Sequence, residues 1–242
     1  MRKRPRPAPS GARAPQRPPA PRAAPHARPR RLRRGGPQPG VDAGATRAAV
    51  FSAAAQTFSW RGFDGATVDD IARTAGVNKA MIYYHFADKL ALYREVVCEM
   101  LREAGAAVTA IADRPSAPAD KMAAFITAFI GLSHARPYFP TLMMREIAEG
   151  APHLDVDTLG LMRSVFLAFG RILAEGQKSG VFRQIHPVLA YMTVLGPLLL
   201  NAARERAAAT PGRGELPMFV HVSHLDLTRH MQSVALRMLQ KD

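Results

Sequence analysis

The chain has 242 residues, 33 lysines and arginines against 19 acids, and one cysteine. Of its net charge of +14, +12 lies in residues 1–40, so the basic balance describes one segment rather than the whole. A single cysteine excludes an intramolecular disulfide and suits a reducing cytosol. The longest apolar stretch, 13 residues at 188–200, contains Gly196 and Pro197 and is too short to span a bilayer.

In chain order, residues 1–40 hold eleven arginines, one lysine, no acid and 11 of the 20 prolines. Leu32 is their one large aliphatic residue after Met1, so they cannot bury enough apolar area to offset chain entropy and read as a disordered tail. Three readings stand open for it: a basic arm that adds phosphate contacts, a solvated linker, or a segment outside the working protein, with translation starting at Val41. No apolar run follows the positive start, so it is not a secretory signal.

Residues 46–60 read as a helix with Val50, Phe51, Ala54 and Phe58 on its apolar stripe, stopped by Arg61 and Gly62, after which Phe63 tucks back toward the same core. Residues 67–89, TVDDIARTAGVNKAMIYYHFADK, form the most informative passage. Val68, Ile71, Ala72 and Ala75 fall on one face of a first short helix. Thr67 can cap that helix, and Asp69 and Asp70 occupy its first turn, where the helix dipole favours negative charge. Gly76 supplies a left-handed stop. Asn78 can cap a second helix, whose inward face is Ile82 and Phe86. Lys79, Tyr83, Tyr84 and His85 are left largely outside. A helix–turn–helix from Thr67 to Phe86 whose second helix is polar, aromatic and basic has the geometry that enters a major groove.

The rest reads as helical. Asp88 caps a long helix to about Ala112. Further helices are expected at 118–134, 138–149, 155–178 (closed by Gly180), 187–206 (bent at Pro197) and 225–241, with a loop at 210–214 and no strand. In 155–178, Leu159, Met162, Phe166, Phe169 and Leu173 form one stripe and Val165 and Ile172 a second. A helix with two stripes must pack on two sides, in a central layer or against a second subunit. Cys98, in a helical run, reads as a small buried hydrophobe.

From about Ala45 to Glu99 the chain resembles the TetR family of bacterial transcription regulators. The resemblance rests on an Ala-rich helix ending in Phe58, then Arg61-Gly62-Phe63, Thr67-Val68, Ile71-Ala72, Ala75-Gly76-Val77, Ile82-Tyr83-Tyr84-His85-Phe86 and Asp88-Lys89. It implies an all-α protein in which residues 41–100 form a three-helix DNA-binding bundle with the helix–turn–helix, and 101–242 form a larger effector-binding and dimerisation domain. It implies a homodimer, paired through helices 187–206 and 225–241, on double-stranded DNA with a palindromic operator.

The resemblance and the spacing together name Thr67, Asn78, Lys79, Ala80, Met81, Tyr83, Tyr84, His85 and Lys89 as DNA-contacting. Thr67 would meet phosphate at a helix N-terminus, and Lys79 would reach guanine or phosphate. Tyr84 and Lys89 would position the protein on the backbone. Met81 stands where members of the family commonly have a small hydroxyl residue, so a thymine methyl contact replaces a hydrogen bond there. Residues 42–100 hold six basic and seven acidic side chains, which predicts moderate non-specific affinity without the tail.

Tyr138, Met143, Met162, Phe166, Phe169, Tyr191 and Asn201 are the candidate lining of a pocket for a small hydrophobic effector. The expected function is a repressor relieved by that effector, in the bacterial cytoplasm and on the nucleoid. The rival is a non-specific DNA-binding protein driven by the basic tail. No enzyme motif, cofactor or metal is expected: there is no Gly-rich phosphate loop, GxSxG or paired-His helix, and His221 and His224, spaced like HxxH, sit in a loop-like stretch that does not read as a metal site.

Overall fold

The structure, a computed structural model, describes residues 43–208 and 222–241. The basic tail, the 210–214 loop and His221 lie outside the described residues. Among the described residues the chain runs through α1 (Ala43–Gly65), α2 (Val68–Ala75), α3 (Lys79–His85), α4 (Lys89–Ala112), α5 (Pro118–Ala135), α6 (Phe139–Glu149), α7 (Val156–Lys178), α8 (Pro187–Ala208) and α9 (His224–Leu239).

Most helix boundaries are made by local hydrogen bonds. Thr67, Asn78, Asp88 and Asp155 each accept a backbone N–H of the first turn they precede, which satisfies donors that have no partner inside the helix. Gly76 stops α2 at φ 67°, in the left-handed region. The expected stop at Gly62 is instead a break inside a longer helix. Its φ of 74° and ψ of 178° belong to a region that glycine alone occupies readily. The break lets Phe63 return, stacking 6.2 Å from Phe58 and meeting the edge of Tyr93 at 5.2 Å. No strand forms among the described residues, as expected; one isolated antiparallel bridge joins Phe182 to Gln240. It clips the α7–α8 connection to the end of α9, with the Arg183 N–H donating to Leu239 O at 2.8 Å.

Two apolar cores result. The first packs α1, α2 and α3 around Val50, Phe58, Ile71, Ile82 and Phe86, and takes in Leu142 and Met143 of α6. The second joins α5, α7, α8 and α9 through Phe125, Ile126, Phe169, Ile172, Val194 and Leu239. Helix α4 serves both, with Leu92, Tyr93 and Val96 in the first core and Val108 and Ile111 in the second. The boundary expected at residue 100 therefore falls inside one continuous helix. Helix α6 packs on α1, α4 and α8, and the end of α8 returns to α1, where the Arg206 guanidinium lies 4.3 Å above the ring of Trp60.

Candidate nucleic-acid interface and effector cavity

Helix α3 buries Ile82 and leaves the opposite side open. Asn78, Lys79, Ala80, Tyr83 and Tyr84 are exposed, Tyr84 to 76 % and Tyr83 to 49 %, and Met81 is half-buried. Two expectations change here. His85 is not outward: it is half-buried beside Tyr84 and Phe86, and its Nε2 is shielded with no hydrogen-bond partner. It falls at the end of the helix, where the chain turns inward to seat Phe86. Lys89 also faces the protein, donating from Nζ to Phe63 O at 2.9 Å and Ala66 O at 3.2 Å, with the ammonium 4.2 Å from the centre of the Phe63 ring. Two of its three N–H groups thereby tie α4 to the α1–α2 connection.

The start of α2 is a charge cluster. The Thr67 hydroxyl donates to Asp70 Oδ2 at 2.8 Å while accepting the Asp70 N–H at 3.1 Å. Arg61 donates to the same carboxylate at 2.5 Å, and Arg73 pairs with its other oxygen. The Thr67 hydrogen bond and the two guanidiniums hold the Asp70 carboxyl below the usual aspartate range. Across the turn, Lys79 Nζ bonds Asp69 at 2.9 Å, which raises the lysine above its ordinary value. The basic groups of this face are thus held by their own acids. Arg61 and Arg73 flank the α2 N-terminus where an anion would dock. They were not singled out from the sequence, although their spacing around Asp70 was readable there.

In the C-terminal part, α4, α5, α6, α7 and α8 surround a cavity of about 470 Å³, within the range of small-molecule sites. Of the seven expected lining residues, Met143, Met162, Phe166 and Tyr191 line it. Phe169 does not: it is fully buried behind the wall, its ring 5.2 Å from both Phe125 and Tyr191. Tyr138 precedes α6 and packs against the first core. Asn201 bonds Arg204 and Glu205 along its own helix. The space exists because Ala104, Ala107 and Ala128 face it from α4 and α5. Among the described residues, Arg163 and Tyr191 are its only polar-tipped side chains, and burial pushes the Tyr191 phenol up to about 12.

A buried hydrogen-bond set lies between this cavity and the bundle of α1, α2 and α3. Glu146, 1 % exposed, accepts from the Tyr93 hydroxyl at 2.6 Å, and its same oxygen is 2.9 Å from His153 Nδ1. Arg94 Nε donates to His153 O at 2.7 Å. Burial, then the Glu146 carboxylate, push the Tyr93 phenol well above the ordinary tyrosine range, so it remains a donor. On the same helix Phe139, Met143 and Ile147 line the cavity.

No group of three or more His, Cys, Asp or Glu is placed to hold a metal among the described residues. None of the described helices is long and apolar enough to cross a membrane.

Comparison with known proteins gives matches over both halves. Residues 50–96 match the family described as bacterial regulatory proteins, tetR family, and residues 118–209 match the tetracyclin repressor-like C-terminal domain. The transcriptional regulator RutR of Escherichia coli K12 is 32 % identical over 143 residues, spanning 59 % of this chain and 67 % of RutR. The negative transcriptional regulator IcaR of the biofilm operon icaADBC in Staphylococcus aureus is 48 % identical over 40 residues, 16 % of this chain and 22 % of IcaR. Among solved structures, the regulator PfmR of Thermus thermophilus superposes with a TM-score of 0.63 at 23 % identity, covering 79 % of this chain and 99 % of PfmR.

Proposed function

This chain belongs to the TetR family of bacterial regulatory proteins and is a sequence-specific DNA-binding transcriptional regulator, and from that premise we propose that it acts as a homodimeric repressor. Its operator is palindromic, and a small hydrophobic effector entering the cavity relieves repression. The observation that carries this reading is α4, one unbroken helix with Leu92, Tyr93 and Val96 in the DNA-facing bundle and Leu101, Ala104 and Val108 on the cavity wall.

On the DNA side, Lys79, Ala80, Met81 and Tyr83 face base edges in the major groove. Tyr84, Thr67 and the N-terminus of α2 take phosphate, joined by Arg61 and Arg73. Asn78 serves mainly as the cap of α3. Two copies present α3 twice, in successive grooves. Exposed apolar residues on α8 (Leu189, Met192, Leu200) and α9 (Leu225, Val234) supply the surface for pairing.

The effector acts through α4 and α6. A molecule in the cavity bears on Met143 and Ile147, one turn apart on α6, while Glu146 of that helix holds Tyr93 of α4. A ligand that favours a shifted α6 therefore favours a different setting of the bundle, and the pair of recognition helices no longer matches the two grooves. Repression rather than activation is supported by IcaR, a negative regulator by its description.

The test is selection of double-stranded fragments from a random pool by the full chain and by a chain lacking residues 1–40. Recovery of one shared palindrome by both is expected. Fragments with no common motif, or binding lost entirely without the tail, would overturn the reading.

A further inference from the structure

The cavity's lining has a charge pattern that its apolar character does not require. Among the described residues nineteen line it, none of them acidic, and Arg163 of α7 is the single charged one. Arg171, two turns further along the same helix, is neutralised by Asp113 at 2.8 Å. Arg94 and Arg136, also near this part of the fold, pair with Asp155 and Glu103. Arg163 has no acidic or hydrogen-bonding partner among the described residues. It is exposed, as are Ile147 and Val188 on the same lining, so the three mark where the cavity meets solvent. Further in, the lining turns to Val108, Phe125 and Leu195, which offer no hydrogen bond.

This proposal rests on the effector reading above and narrows it. We propose that the ligand is an amphipathic acid, with an apolar chain or ring system filling the cavity and a carboxylate at the mouth held by the Arg163 guanidinium. A guanidinium presents paired N–H donors matched to a carboxylate's two oxygens. A cationic ligand would meet Arg163 with no acidic group to offset it, and a neutral one would leave its charge unused. Tyr191, the other polar side chain, brings a neutral hydroxyl, as any phenol does at physiological pH. Recognition of charge therefore falls to Arg163. The cavity volume of about 470 Å³ admits a medium-length chain without displacing the Ala104 and Ala128 walls.

The full chain is titrated by calorimetry with decanoate, dodecanoate and tetradecanoate, each against the alcohol and the amine of the same length, below their micelle concentrations. The same titrations are run on R163M and R163K, and operator release is followed in parallel by fluorescence anisotropy of labelled DNA. The expected result is that one acid binds about tenfold more tightly than its alcohol, a difference of about 1.4 kcal/mol. R163M then loses the preference for acid over alcohol, and R163K keeps part of it. The preference shrinks as salt rises, since the guanidinium is solvent-exposed. Equal affinity of acid and alcohol for the unaltered protein, or a preference that survives R163M, overturns the carboxylate assignment while leaving an apolar effector standing. Failure of acid, alcohol and amine alike to bind or to release operator overturns both.

Discussion

Replacing Tyr93 with Phe removes one oxygen from the centre of the molecule and little else. The ring stays wedged against Phe58, edge-on at 4.9 Å, and against Phe63 and His153, so packing is conserved. What goes is the 2.6 Å donation to Glu146, a carboxylate only 1 % exposed. Among the described residues its other oxygen has no partner, which leaves His153 as the sole side chain bonded to it there. A hydrogen bond to a charged group contributes about 1.5–3 kcal/mol net. A loss of about 2 kcal/mol corresponds to a fall in Tm of about 4–8 °C for a domain of this size. Urea titration of Y93F beside the parent, at one fixed protein concentration because dimer stability depends on it, should lower Cm with m unchanged. Adding Glu146→Gln should cost much less in the Y93F background than alone, since the two groups share one interaction. A change below about 0.5 kcal/mol for Y93F, the range of an ordinary surface substitution, would refute the claim that this contact holds the bundle to α6.

Alkaline pH should act on the same contact. The folded Tyr93 phenol lies above its ordinary value of about 10. Above that pH the unfolded chain releases the proton while the folded chain keeps it. Stability is thus complete below pH 10 and falls as pH rises toward the folded value, by about 1.4 kcal/mol per unit. Y93F should lack that component in urea titrations run across the alkaline range. Gly62→Ala should cost about 1–3 kcal/mol, because the position has φ 74° and its new methyl would fall 2.7 Å from the Arg145 guanidinium; calorimetric melting checks it. Gly176→Ala puts a methyl in steric overlap with Cδ2 of the buried Phe182 ring and should cost about 1–3 kcal/mol through overpacking, read as a lower Cm. Asp69→Asn releases Lys79 from its 2.9 Å pair and removes a negative charge beside the duplex. Operator affinity by anisotropy should rise about two- to fivefold, the scale of an exposed ion pair.

The helix–turn–helix was legible because its determinants are local. Thr67, Asn78 and Asp88 cap within three residues, Gly76 turns where only a small residue turns easily, and Ile82 and Phe86 face inward by spacing alone. His85 and Lys89 escaped the same logic because the chain bends between them. His85 is the last residue of α3, where the chain turns inward to seat Phe86, and Lys89 found backbone carbonyls 23 and 26 residues upstream. The cavity was half legible for a different reason. Apolar spacing reports which side of a helix faces inward and not whether anything fills the space opposite. Phe166 and Phe169 are alike in pattern, yet one lines the cavity and the other is fully buried in the wall. The deciding residues are the alanines on α4 and α5, which read in sequence as ordinary helix formers.

Trp60 is the chain's only tryptophan. It is half-exposed on α1 with the Arg206 guanidinium of α8 stacked 4.3 Å over its indole. The protein therefore carries an intrinsic fluorophore at the junction of α1 and α8, and a cation over an indole alters its emission. Steady-state emission of the unlabelled protein becomes a gauge of that junction's opening, in real time and with no dye attached.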